Sequence, residues 1–299
     1  MIEVHETIAD LRAALESTRR AGRSVGLVPT MGALHAGHAS LITRAASDCD
    51  VVVVTVFVNP LQFGAGEDLG AYPRSLAADI FLADESGAAH VFAPSTGEMY
   101  GAGPVTTVAV DGPLTNVLEG ASRPTHFDGV TTVVAKLFAI VGACSAYFGE
   151  KDFQQLAVVR RMTADLSFPV RVVGCPTVRD PDGLALSSRN AYLEPDERRV
   201  APLLHRSLVA GADCIRGGER QPAAVTEAMA SVIATEPMFD PDYVAVVDAA
   251  TFETPDPLEG DLRLLAAARL GKARLIDNLG VTVSAGPSGR LSGQHGAHR

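Results

Sequence analysis

The stretch that most constrains this chain is residues 51–58, an almost unbroken run of valine interrupted by one threonine and one phenylalanine. β-Branched side chains favour extended backbone, and a strand with no polar alternation needs cover on both faces. A parallel strand inside a helix-flanked sheet meets that need. Shorter apolar runs at 25–28, 90–93, 146–148 and 170–173 read as further strands, and 106–110 is another strand candidate. Between them lie segments with apolar residues at helical spacing. Ile8, Leu11 and Leu15 share one side of 6–20, and Leu41, Ile42, Ala45, Ala46 and Cys49 recur along the next. Segments 76–85 and 130–141 read the same way, as does the one carrying Leu156, Val159, Met162 and Leu166. Strands and helices alternating at this length predict an α/β fold, a doubly wound parallel sheet with helices on both faces.

The pattern changes after Thr177. Arg179-Asp180-Pro181-Asp182-Gly183 is a turn cluster. Helices are expected at 195–215 and 222–235, separated by Gly217-Gly218. Strands are expected at 243–247, 263–268 and 272–277, the last two a hairpin about Leu270-Gly271. The expected division is a larger α/β domain at 1–177, a smaller α+β domain at 178–283, and a disordered Ser-, Gly- and His-rich tail at 284–299. His295 and His298 read as tail rather than as a metal site. With 47% hydrophobic and 20% charged residues, the 299-residue chain has enough apolar material for both cores.

The 25 basic and 35 acidic residues leave a net charge of −10, which argues against a nucleic-acid binder but not against an anionic substrate held in a local basic cleft. Cys49, Cys144, Cys175 and Cys214 have neither zinc nor disulfide spacing, so they read as buried thiols of a reducing cytoplasm. The first six residues lack a signal-peptide layout, and no apolar run approaches a membrane span.

The strand at 25–28 runs into Pro29-Thr30-Met31-Gly32-Ala33-Leu34-His35-Ala36-Gly37-His38 and then a helix. The first amides of a helix lack internal partners and carry partial positive charge, so such a junction takes anions. Gly32 and Gly37 let backbone approach a phosphate. His35 and His38, three apart, can share one side of the helix start, donate to phosphate oxygens and carry a proton near neutral pH. This His-x-Gly-His pattern resembles the signature of the nucleotidylyltransferase group.

Four more blocks follow in order: Phe57-Val58-Asn59-Pro60-Leu61-Gln62-Phe63, Arg123-Pro124-Thr125-His126-Phe127, Phe148-Gly149-Glu150-Lys151-Asp152-Phe153-Gln154-Gln155 and Ser187-Ser188-Arg189-Asn190. Together the five blocks resemble the pantothenate synthetase (pantoate–β-alanine ligase) family. The resemblance implies a Rossmann-like first domain, a homodimer, and a reaction in two steps. ATP and pantoate give pantoyl adenylate and pyrophosphate, and the β-alanine amine then displaces AMP. Adenylation makes a poorly electrophilic carboxylate reactive, and the meeting of two anions calls for preorganised positive charge.

Carried onto this sequence, the resemblance places the triphosphate on His35 and His38, with His38 nearest to a catalytic role. Lys151 suits the α-phosphate, and Ser187, Ser188 and Arg189 form a second phosphate grip at the domain boundary. Asp152 accepts from the ribose, and Met31, Gly32, Gly37, Gly149, Val178 and Leu186 border the nucleotide. Leu186 stands where the family commonly has Met, a swap that keeps volume. Gln62 and Gln155 read pantoate, whose dimethyl carbon lies against Met31 and Phe63, with Asn59 and Tyr72 supporting the pocket. Arg123 and His126 are assigned a supporting part in the substrate site. Mg²⁺ is expected mainly on the nucleotide phosphates, with Asp79 as the candidate protein ligand. The competing readings are a nucleotidylyltransferase that stops after nucleotide transfer and a non-catalytic nucleotide-binding module. Paired glutamines weigh against the first, and Lys151 together with both histidines against the second.

Overall fold

A computed structural model describes residues 2–64, 68–70, 72–103 and 106–284. The expected tail with His295 and His298, and residues 65–67 of Gly64-Ala65-Gly66-Glu67-Asp68, a stretch whose sequence reads as a mobile loop, lie outside the described residues. In chain order the elements are β1 (Glu3–His5), α1 (Ile8–Arg20), β2 (Val25–Thr30), α2 (Ala36–Asp48), β3 (Val51–Val56), α3 (Leu76–Glu85), β4 (His90–Phe92), α4 (Thr96–Tyr100), α5 (Pro113–Asn116), α6 (Glu119–Ser122) and α7 (His126–Val141). Then come β5 (Cys144–Gly149), α8 (Phe153–Asp165), β6 (Val170–Cys175), α9 (Pro195–Val200), α10 (Leu203–Arg216), α11 (Pro222–Ile233), β7 (Phe239–Asp248), β8 (Gly260–Leu270) and β9 (Ala273–Val283).

Six strands form one sheet in the order β1-β4-β3-β2-β5-β6, every pair parallel. Val51 to Val54 of β3 are buried on both faces, as an uninterrupted apolar run requires. Val53 joins Leu11, Leu15, Phe92, Phe138 and Leu156 on the side of α1, α7 and α8. Val52 and Val54 join Leu41, Ile42, Ala45, Val91 and Tyr147 on the side of α2. From β2 the chain moves outward to β3 and β4, then returns to place β5 on the opposite flank of β2. Such a reversal opens a crevice at the carboxyl ends of the two central strands.

The smaller unit is an antiparallel meander, β7-β8-β9, with α10 and α11 on one face. β8 and β9 turn through Gly271 and Lys272, one residue later than expected, with Gly271 at φ +56°. Pro202 interrupts the helix expected at 195–215, giving α9 and α10.

Two further expectations need correction. Residues 106–110 form no ladder. They lie extended along α7, where the Val108 amide donates to Thr132 Oγ1 (3.0 Å) and Thr131 Oγ1 donates to the Val108 carbonyl. Val108 and Val110 pack on the core, so their apolar alternation reflects burial without strand pairing. β1 escapes the sequence pattern, because three residues are too few to show a period. Of the cysteines, all free, only Cys175 is buried; the others are half-buried. No helix among the described residues is long and apolar enough to cross a membrane.

Candidate active site

The turn between β2 and α2 is clamped from two sides. Thr30 Oγ1 donates to the Thr55 carbonyl (2.6 Å) and accepts from the Gly32 amide (3.1 Å), tying the turn to β3. Asp79, at the start of α3, accepts from the Ala33 amide (3.1 Å) and the Leu34 amide (2.7 Å). Gly32 sits at φ +86°, and a Cβ there would lie 2.9 Å from Asp79 Oδ2. Two expectations change accordingly. Asp79 is 3% exposed with both carboxylate oxygens engaged by backbone, so it builds the turn and does not present itself to a metal. Gly32 spends its amide on Thr30, so it shapes the loop and does not donate to phosphate.

The helix start uses both histidines as caps. His35 Nδ1 accepts from the Gly37 amide (3.1 Å), and His38 Nδ1 accepts from the His35 amide (3.3 Å). An accepting Nδ1 carries no proton, so each neutral ring carries its proton on Nε2. The rings lie 4.2 Å apart between centroids. Burial, then the neighbouring His35, pushes His38 down to about 3. Burial, then Lys151, lowers His35. The expectation that either ring carries charge near neutrality is therefore corrected: both are neutral Nε2–H donors. Gly37 is required beside them, since a Cβ would come within 2.8 Å of His35 Cε1.

After β3, Asn59 caps a short turn at Pro60–Gln62. Its Oδ1 accepts from the Leu61 amide (3.3 Å) and Tyr100 OH (2.7 Å); its Nδ2 donates to Gln62 Oε1 (3.1 Å) and the Gly129 carbonyl (3.0 Å). Asn59 is 1% exposed and its bonding capacity is spent, so it positions Gln62 and does not itself address a ligand. Gln62 Nε2 donates to Met31 Sδ (3.0 Å). That leaves one N–H and one lone pair on the Gln62 amide. Arg123 donates to His126 Nε2 (3.1 Å), which makes His126 Nδ1 the donor to the Gln62 carbonyl (2.9 Å). Arg123 also reaches that carbonyl (3.3 Å), so the two residues brace the Gln62 backbone. Gly129 lets α7 come this close, because a Cβ would fall 2.3 Å from the Leu61 carbonyl oxygen.

After β5, a turn at Glu150–Asp152 presents Lys151, whose Nζ lies 3.8 Å from Asp152 Oδ1. This turn is held by the second unit. Asn278 Nδ2, on β9, donates to the Glu150 carbonyl (2.9 Å) and the Lys151 carbonyl (2.7 Å), and Arg263 pairs with Glu150 (3.1 Å). Asn278 and Arg263 are not among the residues that the sequence singles out. The available signal is Asp277-Asn278, an adjacent polar pair between the apolar residues Ile276 and Leu279 of β9. In the segment joining the units, Ser187 Oγ caps the Ser188–Tyr192 turn by accepting from the Arg189 amide (3.3 Å). Tyr72 OH meets Ser188 Oγ (3.3 Å), and Phe63 packs edge-on against Tyr72. The Val178 carbonyl accepts from the Leu186 amide (3.0 Å).

These pieces converge. A cavity of about 230 Å³ at the carboxyl ends of β2, β3 and β5 is lined by Met31, His35, Gly37, His38, Asn59, Gln62, Phe63, Tyr72, Arg123, His126, Gly149, Lys151, Asp152, Gln155, Leu186, Ser187, Ser188 and Arg189. Gly32, Asp79 and Val178 lie outside its lining. A second cavity of about 430 Å³, between the sheet domain and the meander, shares Arg123, His126, Lys151, Asp152, Gln155, Ser187 and Arg189 with the first. One hollow thus gathers two imidazole donors, a lysine, two arginines and two serine hydroxyls beside a pair of glutamines. Such a site takes a polyanion and a small polar acid side by side.

The sequence profile of the family described as pantoate-beta-alanine ligase matches residues 3–280. The chain belongs to this family. Among its relatives, the pantothenate synthetase of Heliobacterium modesticaldum is 52% identical over 278 residues, spanning 93% of this chain and 99% of that one. That of Moorella thermoacetica is 51% identical, spanning 95% and 100%. The crystal structure of pantothenate synthetase from Thermus thermophilus superposes with a TM-score of 0.89 at 50% identity, covering 93% of this chain and 99% of that one. The Francisella tularensis pantoate-beta-alanine ligase, solved with beta-gamma ATP and beta-alanine, gives 0.77 at 32% identity, covering 93% and 97%. The pantoate–β-alanine ligase family therefore accounts for both units, sheet and meander.

Proposed function

We infer that this chain condenses pantoate with β-alanine, consuming ATP and releasing AMP and pyrophosphate through a pantoyl adenylate. The supporting observation is the single cavity in which His35, His38, Lys151 and Arg189 adjoin Gln62 and Gln155. The triphosphate lies across the start of α2. His35 and His38 donate to it from Nε2, and Lys151 faces the α-phosphate, where charge builds as the pantoate carboxylate attacks. Ser187, Ser188 and Arg189 hold the departing pyrophosphate. Asp152 accepts from the ribose.

Gln62 and Gln155 bind the pantoate hydroxyls and carboxylate, with Met31 and Phe63 against its methyl groups. In the second step the amine nitrogen attacks the acyl carbon and the acyl–oxygen bond breaks. AMP then leaves with the oxygen that pantoate supplied. Mg²⁺ rides on the phosphates, with water completing its shell. The functional unit is a cytoplasmic homodimer, with the domain division at residues 177 and 178.

Pyrophosphate–ATP exchange tests the reading. Exchange that requires pantoate, proceeds without β-alanine, and gives way to AMP release once the amine is added is the expected result. Exchange independent of the hydroxy acid points instead to a nucleotidylyltransferase and overturns the reading.

A further inference from the structure

β1 lies at the edge of the sheet, three residues long and paired to β4 alone. In their parallel register Glu3 stands opposite His90, and His5 lies two residues further along β1. Side chains alternate along a strand, so Glu3, His5 and His90 share one face. His5 Nε2 and His90 Nδ1 are 3.0 Å apart, and Glu3 Oε2 lies 3.8 Å from the first and 3.5 Å from the second. Both rings are buried, at 8% and 9% exposure, whereas the Glu3 side chain is 66% exposed and opens the cluster to solvent.

A triangle with these sides has its centre about 2.0 Å from each corner, the Zn–N and Zn–O bond length, and an inward swing of the exposed Glu3 carboxylate by about 0.5 Å lifts a metal out of that plane into tetrahedral geometry. Two imidazoles and one carboxylate are borderline donors that suit Zn²⁺ or Co²⁺ rather than Mg²⁺ or Ca²⁺. The exposed side leaves a fourth position for water.

We propose that Glu3 Oε2, His5 Nε2 and His90 Nδ1 form a binding site for a zinc-type divalent transition metal that clips the N-terminal strand to the sheet edge. On metal entry both facing nitrogens present lone pairs. The ring that carries the bridging proton gives it up there and is protonated on its far nitrogen instead. Glu3 and His90 begin their strands, whereas the ligase cavity lies at the carboxyl ends of the central strands. The site is therefore separate from the reacting groups, and occupancy acts on stability.

The test is equilibrium dialysis of the chelator-stripped full chain against Zn²⁺, with Tm measured in parallel and Co²⁺ absorption as a ligand-field readout. The expected result is one tight equivalent per chain, a Tm raised by about 5 °C at saturation, and tetrahedral d–d bands with Co²⁺. Glu3→Gln, on an exposed side chain, weakens binding about tenfold, and His90→Gln abolishes both the tight equivalent and the Tm rise, with ligase turnover unchanged in both. Equal binding by the wild type and both variants assigns the metal to other histidines, such as His295 and His298, and overturns the proposal. Absence of a stoichiometric equivalent in the wild type overturns it too.

Discussion

His35 and His38 each spend a lone pair on a backbone amide, and that fixes what they offer a nucleotide. Their tautomer is set before ligand arrives, so no proton needs to move for Nε2 to donate. The sign of the pH effect follows. The unfolded His38 ring takes up a proton near its ordinary value of 6.5, and the folded ring only near 3. Stability is therefore full above about pH 6.5 and is lost as pH falls below it, by up to about 1.4 kcal/mol per pH unit for one ring. Thermal unfolding between pH 7.5 and 5 should show this slope, and His38→Asn, whose side-chain oxygen can still accept the His35 amide, should flatten it. An unchanged slope would mean that the ring titrates normally. At Gln62 one N–H and one lone pair remain after Asn59 and Met31 are satisfied. Gln62→Ala should raise KM for pantoate about tenfold or more and leave KM for ATP nearly unchanged; equal losses for both would contradict its assigned role.

Among the elements, the turn carrying Lys151 depends on a strand from the other domain. Asn278 holds two carbonyls of that turn and is itself 4% exposed. Asn278→Ala leaves both carbonyls without these partners, at a cost of about 1–3 kcal/mol. With Lys151 less well placed, kcat should fall about tenfold while KM for pantoate holds, as steady-state kinetics would show. A loss of stability with kcat intact would make Asn278 a purely structural residue. This dependence also marks what a sequence can tell. Thr30 to His38 is legible because strand, turn, cap and helix are contiguous, and each residue type answers a local demand. Asp79 invites a metal-ligand reading because its partners, the Ala33 and Leu34 amides, lie about 45 residues away and leave no local trace. Residues 106–110 invite a strand reading because burial against α7 and pairing in a sheet produce the same short apolar pattern.

Across the whole molecule, periodicity is enough for the doubly wound sheet and the α+β unit, since long apolar runs and helical spacing survive without knowledge of partners. The polar seam between the units is not legible. Arg274 on β9 binds Glu119 through both terminal nitrogens (2.8 and 2.7 Å) and Asp242 (2.6 Å), while Tyr243 OH donates to Glu119 (2.7 Å). Arg274 and Glu119 are 155 positions apart, and only the assembled fold brings them together. That seam, with Asn278 and Arg263, holds the meander against the cavity where a hydrolysable adenylate must be kept from water. In the proposed reaction this cavity activates a carboxylate by moving AMP onto it. Pantoate labelled with ¹⁸O in both carboxylate oxygens tests that claim, with the products read by mass spectrometry. One label in AMP and one in the amide carbonyl of the product is the expected result. Unlabelled AMP, with the label in pyrophosphate or inorganic phosphate, would contradict it.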